Sequence, residues 1–195
     1  MPRRRRLGRA FYRRDPRLVA PELLGKLLVH DGMVARIVEV EAYCGAADPG
    51  SHAYRGMTRR NATMFGPAGR LYVYFTYGMH WCANAVCGDD GEGVAVLLRA
   101  AEPLVGIDEM WARRPKARRE RDLLAGPARL CQAFALDGGY DGADLVTADR
   151  GVTIADDGTP PPSAPAVGTR IGLSAGADLP WRWCMTGSLH LSKPA

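Results

Sequence analysis

The stretch Leu71-Tyr-Val-Tyr-Phe-Thr-Tyr-Gly-Met-His-Trp-Cys-Ala-Asn84 reads as two extended runs joined at a Tyr-Gly pair. Successive side chains of an extended chain point to opposite faces, so Leu71, Val73, Phe75 and Tyr77 share one face while Tyr72, Tyr74 and Thr76 share the other. Tyr77-Gly78 marks a turn, with Ala83 to Val86 returning from it, and the pair reads as an antiparallel hairpin. A tyrosine just before the turn glycine stands out into solvent, where an exposed ring invites something to stack on it. Aromatic enrichment is equally the ordinary chemistry of a core strand.

Working outward, Asp31-Gly32 signals a second hairpin between Lys26–His30 and Met33–Tyr43. Alternation along the return strand puts Ile37, Glu39, Glu41 and Tyr43 on one face, with Val34, Arg36, Val38, Val40 and Ala42 on the other. A carboxylate in an apolar strand is costly to bury unless it is paired, hydrogen-bonded or used in chemistry. For Glu39 and Glu41 the structural reading is a salt bridge to an arginine. The functional one is a general acid or base beside the ring of Tyr43, as a glycosidic-bond hydrolase requires. Pro21-Glu22-Leu23-Leu24 reads as the first turn of a short helix, and residues 44–69 as a long polar connection containing His52. Val94–Arg99 is a third apolar strand. Arg99 at its end suits either a buried partner of Glu41 or a surface residue. Glu109–Leu124 reads as helical or partly disordered, and Gly126-Pro127 opens a helix burying Leu130, Ala133, Phe134 and Leu136 with Arg129 outward. Thr159–Ala166 is a loop, and Arg170–Leu173 and Trp181–Met185 read as closing strands.

A chain of 195 residues with 47% hydrophobic content fits one domain. Its net charge of +5 is unevenly spread. Arginines crowd the first seventeen residues, recur at Arg55, Arg59, Arg60 and Arg70, and form a third run from Arg113 to Arg121, whereas residues 137–157 are acidic. Such asymmetry favours a polyanionic partner, although any one basic run is commonly a solvated face. Five cysteines with no Cys-x-x-Cys pair support neither a disulfide framework nor a zinc site. No run is apolar enough to cross a bilayer and no signal peptide is legible, so the expected location is cytoplasmic. Acyl-transfer and nucleotide-binding motifs are absent.

Arg36-Ile-Val-Glu-Val-Glu-Ala-Tyr43, His52, Arg60-Asn61, Met64-Phe65, Leu71-Tyr-Val-Tyr74, Tyr77-Gly-Met79, Leu97-Leu-Arg-Ala100, Gly126-Pro127 and Leu130-Cys-Gln-Ala133 together resemble the alkyladenine (3-methyladenine) DNA glycosylases. The resemblance runs from about Pro21 to the end of the chain. It implies an α+β fold: a single mixed domain, 21–195, with a curved antiparallel sheet, surrounding helices and a protruding, DNA-inserting β-hairpin. Residues 1–20 fall outside it and read as a basic, flexible segment. Val40, Arg59 and Thr169 depart from the family pattern at positions outside the implied catalytic set.

The implied activity is hydrolysis of the bond between an alkylated purine and deoxyribose in duplex DNA, with no cofactor, no metal and no lyase step. By resemblance, Glu41 is the general base and Arg99 helps position the attacking water. Tyr43, His52, Tyr74 and Asn84 line the base pocket, Asn84 crowding the guanine amino group, and Tyr77 is the wedge. Arg60 and Arg129 are expected at the DNA backbone. The expected partner is double-stranded DNA containing damaged purines, bound by a monomer with no membrane association. The rival reading is a non-enzymatic nucleic-acid-binding module with tyrosines as stacking platform and arginines as phosphate track. That reading leaves Glu41 without a purpose. A carbohydrate hydrolase would have less need of three basic clusters.

Overall fold

The computed structural model describes residues 4–194. Its centre is β3 (Met33–Cys44), a twelve-residue strand that pairs with three others. β2 (Leu27–His30) precedes it through a tight turn in which Asp31 and Gly32 both take positive φ (49° and 75°), the conformation an Asp-Gly hairpin favours. β4 (Leu71–Thr76), β5 (His80–Cys87) and β6 (Val94–Val105) follow in sequence, and β6 returns alongside β3. Every pairing is antiparallel, and the strand order is β1-β7-β2-β3-β6-β5-β4 in one curled sheet, with β1 (Arg5–Arg6) and β7 (Thr153–Asp156) at one end. β8 (Ala166–Gly168) and β9 (Arg182–Cys184) branch off at β3, where β9 pairs with Glu39–Glu41.

Short helices cover one face. α1 (Arg9–Tyr12), α2 (Pro16–Leu23), α3 (Ile107–Arg113) and α4 (Pro127–Phe134) bury Tyr12, Val19, Leu23, Met110, Leu130 and Phe134 in the core that holds Leu71, Val73, Ala83 and Ala85. The opposite face of β4 to β6 carries Tyr72, Val86 and Ala95, which form a second cluster with Ala53 and Met64 of the long 44–69 connection. The period-two reading of the hairpin is therefore realised: its aliphatic face meets the helices and its tyrosine face meets the loop.

Alternation fails in one informative place. The β3–β6 register shifts between Ile37 and Glu39 and again between Glu39 and Val40, leaving Val38 and Arg99 without a paired residue opposite. A bulge changes which face the next side chain takes. Ile37 consequently lies in the main core together with Val40 and Ala42, rather than sharing a face with Glu39 and Glu41.

Other expectations change for local reasons. The helix expected to begin at Pro21 begins at Pro16, because Asp15 caps it by accepting the Arg17 N–H and Pro16 occupies the first turn. Of residues 1–20, expected as a flexible segment, 1–3 lie outside the described residues, while β1, α1 and most of α2 form within 5–20, with Tyr12 fully buried. The third strand continues six residues past Arg99, through Pro103. Within 109–124 only the end of α3 and one 3-10 turn at Glu120–Asp122 are helical, yet Leu123 and Leu124 are buried. Residues 170–173 form no strand, since Arg170 turns inward to an ion pair; β8 lies just before them. All five cysteines are unpaired. Among the described residues, no helix is long and apolar enough to cross a membrane.

Candidate active site

Between the 44–69 connection and the tyrosine face of the sheet lies a cavity of about 50 Å³, lined by Tyr43, Gly50, His52, Met64, Tyr72, Tyr74, Asn84 and Leu173. Its rings are ordered among themselves. Tyr72 and Tyr74 stack with centroids 5.4 Å apart, and His52 stands edge-on to Tyr74 at 4.5 Å with its Nδ1 3.3 Å from the Tyr72 hydroxyl. Burial and the charge of Arg60 push the His52 pKa down from its ordinary value. The Asn84 amide donates to the Tyr72 carbonyl at 3.1 Å, fixing a polar side chain in the wall.

The strand step from Tyr43 leads directly to Glu41, which is fully buried. Its Oε2 accepts the Tyr43 hydroxyl at 2.9 Å; its Oε1 accepts the Ile171 N–H at 2.8 Å and lies 3.2 Å from Arg99 Nη1. Burial raises the Glu41 pKa, and the Arg99 charge and these hydrogen bonds offset only part of that rise. Burial also pushes up the Tyr43 phenol, with the neighbouring Glu41 charge adding to it, so Tyr43 remains a hydrogen-bond donor. For Arg99 burial acts against the charge, but the carboxylates of Glu41 and Glu39 outweigh it and raise its pKa.

Behind the pocket stands an ion pair that the sequence did not reveal. Arg170 and Asp48 have no exposed side-chain surface and meet through two bonds, Nη1 to Oδ2 at 2.5 Å and Nη2 to Oδ1 at 2.7 Å. Asp48 also accepts the N–H groups of Cys44 and Gly50, and the Arg170 guanidinium lies 4.7 Å from the centre of the Tyr43 ring. Packing here admits only glycine at position 50, where a Cβ would fall 2.8 Å from Arg170 Nη2 and from Leu173 Cδ1.

Tyr43, His52, Tyr74 and Asn84 thus line one cavity, and Glu41 and Arg99 stand in sequence behind Tyr43. Tyr77, Arg60 and Arg129 do not line the cavity, although the charge of Arg60 reaches His52. Tyr77 occupies the β4–β5 turn, 79% exposed, with φ at 51°. Positive φ is unusual for a bulky residue and is a form of strain that collects at functional sites. Phe75 and Met79 beside it are exposed as well, and Arg60 is tied to this hairpin through the Phe75 carbonyl at 2.8 Å. Arg129 lines a separate open groove with Arg119, Arg121 and Lys193. Sequence reasoning missed Tyr72, although its alternation with Tyr74 already placed it on the pocket face, and missed Asp48, Arg170 and Ile171, for which no local signal exists. Among the described residues no cluster of three or more His, Cys, Asp or Glu side chains could hold a metal ion.

The site is a cavity walled by aromatic side chains beside a buried carboxylate. Residues 10–189 match the methylpurine-DNA glycosylase family. The chain is 58% identical over 189 residues to a protein of Burkholderia lata, covering 96% of this chain and 91% of that one. A Streptomyces avermitilis protein is 48% identical over 188 residues (93% and 88% covered), and one from Carboxydothermus hydrogenoformans 44% identical over 196 (96% and 98%). All three carry the name "Putative 3-methyladenine DNA glycosylase". The chain belongs to the methylpurine-DNA glycosylase family.

Proposed function

We propose that this protein removes alkylated purines, 3-methyladenine and 7-methylguanine with hypoxanthine and ethenoadenine as further candidates, from duplex DNA by hydrolysing the N-glycosidic bond. A base inside a duplex is out of reach of a buried carboxylate and must first be turned out, at a cost of a few kcal/mol. The exposed Tyr77 at the hairpin tip fills the vacated stack, and Arg60 and Arg129 hold flanking phosphates. The extruded base sits among Tyr43, His52 and Tyr74. Stacking on electron-rich rings favours a cationic base by about 0.5–2 kcal/mol in a desolvated site. Asn84 crowds the position of a guanine amino group.

In the chemical step a water oxygen bonds to C1′ of the sugar as the C1′–N bond breaks. For a cationic alkylated purine the bonding pair leaves with the base and neutralises its positive charge, and the water's proton passes to Glu41; neutral hypoxanthine or ethenoadenine must in addition take up a proton as it leaves. Arg99 helps to position that water, and Glu41 must be ionised to act. No amine attacks the sugar, so the product is an abasic site with an uncut backbone. The protein works as a monomer on cellular duplex DNA without a cofactor.

The observation that carries this reading is the buried Glu41 carboxylate, bonded to Tyr43 at the wall of a tyrosine-lined cavity. Its test is single-turnover release of free base from duplex oligonucleotides each carrying one of the four lesions, with wild type and Glu41→Gln. Release by the wild type that disappears in the variant, with binding retained, is expected. Tight binding by the wild type with no release would instead identify a nucleic-acid-binding module.

A further inference from the structure

Glu39 lies beside Glu41, fully buried, and no step above uses it. Its Oε1 accepts Arg99 Nε at 2.9 Å, Arg182 Nη1 at 3.2 Å and the Ser192 hydroxyl at 2.7 Å, while its Oε2 accepts the Ser192 N–H at 2.6 Å. Arg99 Nη2 donates to the same Ser192 hydroxyl at 3.1 Å, so Arg99 has one nitrogen on Glu39, one on Ser192 and one, Nη1, facing Glu41.

We propose that Glu39 and Ser192 are positioning residues that hold the Arg99 guanidinium in one orientation, so that Nη1 stays aimed at Glu41 during base release; this rests on the reading of Glu41 as the general base. A carboxylate alone would neutralise the arginine without fixing its plane. A guanidinium is planar, and contacts to two of its nitrogens determine where the third points. Ser192 supplies the second contact by using its hydroxyl in both senses, donating to Glu39 and accepting from Arg99. Its segment is anchored independently of that hydroxyl. The Ser192 N–H binds Glu39, and Arg182 Nη2 binds the Pro194 carbonyl at 3.0 Å while its Nε binds the Thr169 carbonyl at 3.0 Å. The register break at Glu39 and Arg99 fits the same purpose, because a bulge re-aims a side chain that regular alternation would send elsewhere.

The test compares wild type, Ser192→Ala and Ser192→Thr on the lesion the wild type releases fastest, measuring single-turnover rate, lesion-duplex Kd and denaturation midpoint. Ser192→Ala is expected to slow release by about 10- to 100-fold, the scale of a slightly misplaced catalytic group, with Kd and midpoint unchanged. Ser192→Thr, which keeps the hydroxyl, should recover most of the rate. An alanine variant that releases base at the wild-type rate overturns the proposal and leaves the glycosylase reading standing. Parallel losses in rate, Kd and midpoint would show a merely structural bond and overturn it too. A wild type that releases no base overturns both.

Discussion

Replacing Asp48 by asparagine removes one charge from a pair that has no access to water. Asparagine keeps the size of the side chain and one acceptor oxygen, but its amide presents donors where Arg170 or the Cys44 N–H also donates. The guanidinium is then buried without a counter-charge. Breaking a buried pair in this way costs about 3–5 kcal/mol. In a chain of this size each kcal/mol lowers Tm by about 2–4 °C, so a fall of roughly 6–20 °C is expected. Base release should slow as well, because Asp48 fixes the loop that carries Gly50 and His52, and Arg170 lies over the Tyr43 ring that binds Glu41. Denaturant unfolding gives the stability change and single-turnover release the rate. The Asp48→Leu, Arg170→Met double variant should be more stable than Asp48→Asn, since it leaves no unpaired charge inside. An Asp48→Asn protein within about 1 kcal/mol of wild type would refute the argument, for such a small loss belongs to a solvent-screened pair.

Tyr77→Ala should change stability by less than about 0.5 kcal/mol, since the ring is mostly exposed. It should weaken lesion-duplex binding by the about 1–3 kcal/mol of a lost base–aromatic stack, and an unchanged Kd would remove Tyr77 from the DNA interface. Arg129→Ala should reduce the slope of log K against log salt by about 1 while sparing stability; an identical slope would exclude a phosphate contact there. Glu41 predicts an opposite pH trend for stability and activity. Its native pKa is raised, so the stability this group contributes is fully present below its unfolded value of about 4.3 and is lost as pH rises through the native value. Wild type should therefore lose stability relative to Glu41→Gln on going upward through that window, while base release, which needs the ionised form, should increase. Denaturation and release measured from pH 4 to 8 check both, and a relative stability that rises with pH would contradict the assignment.

What was legible in the sequence was periodic or local. Alternation from Leu71 sorted the hairpin into an aliphatic and a tyrosine face, and Asp31-Gly32 fixed the β2–β3 turn, because each depends on neighbours within a few residues. The strand read as ending at Arg99 runs on because its pairing with β3 continues to Val34 and Val105, a tertiary fact that overrides the break a proline signals at Pro103. Arg170 was misread as strand because its buried partner lies 122 residues earlier, and nothing in the intervening sequence marks the pair.

The same division applies to the chemistry. Glu41 could be singled out because a carboxylate in an apolar strand is anomalous on its own. Its carboxylate meets donors from three places: Tyr43 on its own strand, Arg99 on β6 and the Ile171 N–H in the segment after β8. All three lower the pKa, yet burial outweighs them and the net shift is upward. A carboxylate held this way remains a better proton acceptor than one fully neutralised by its arginine. Glu39 takes the Arg99 Nε contact while Nη1 faces Glu41, so one cation stands between two acids. The bulge that defeats simple alternation is thus what lets both acids reach one arginine while Ile37 stays in the core.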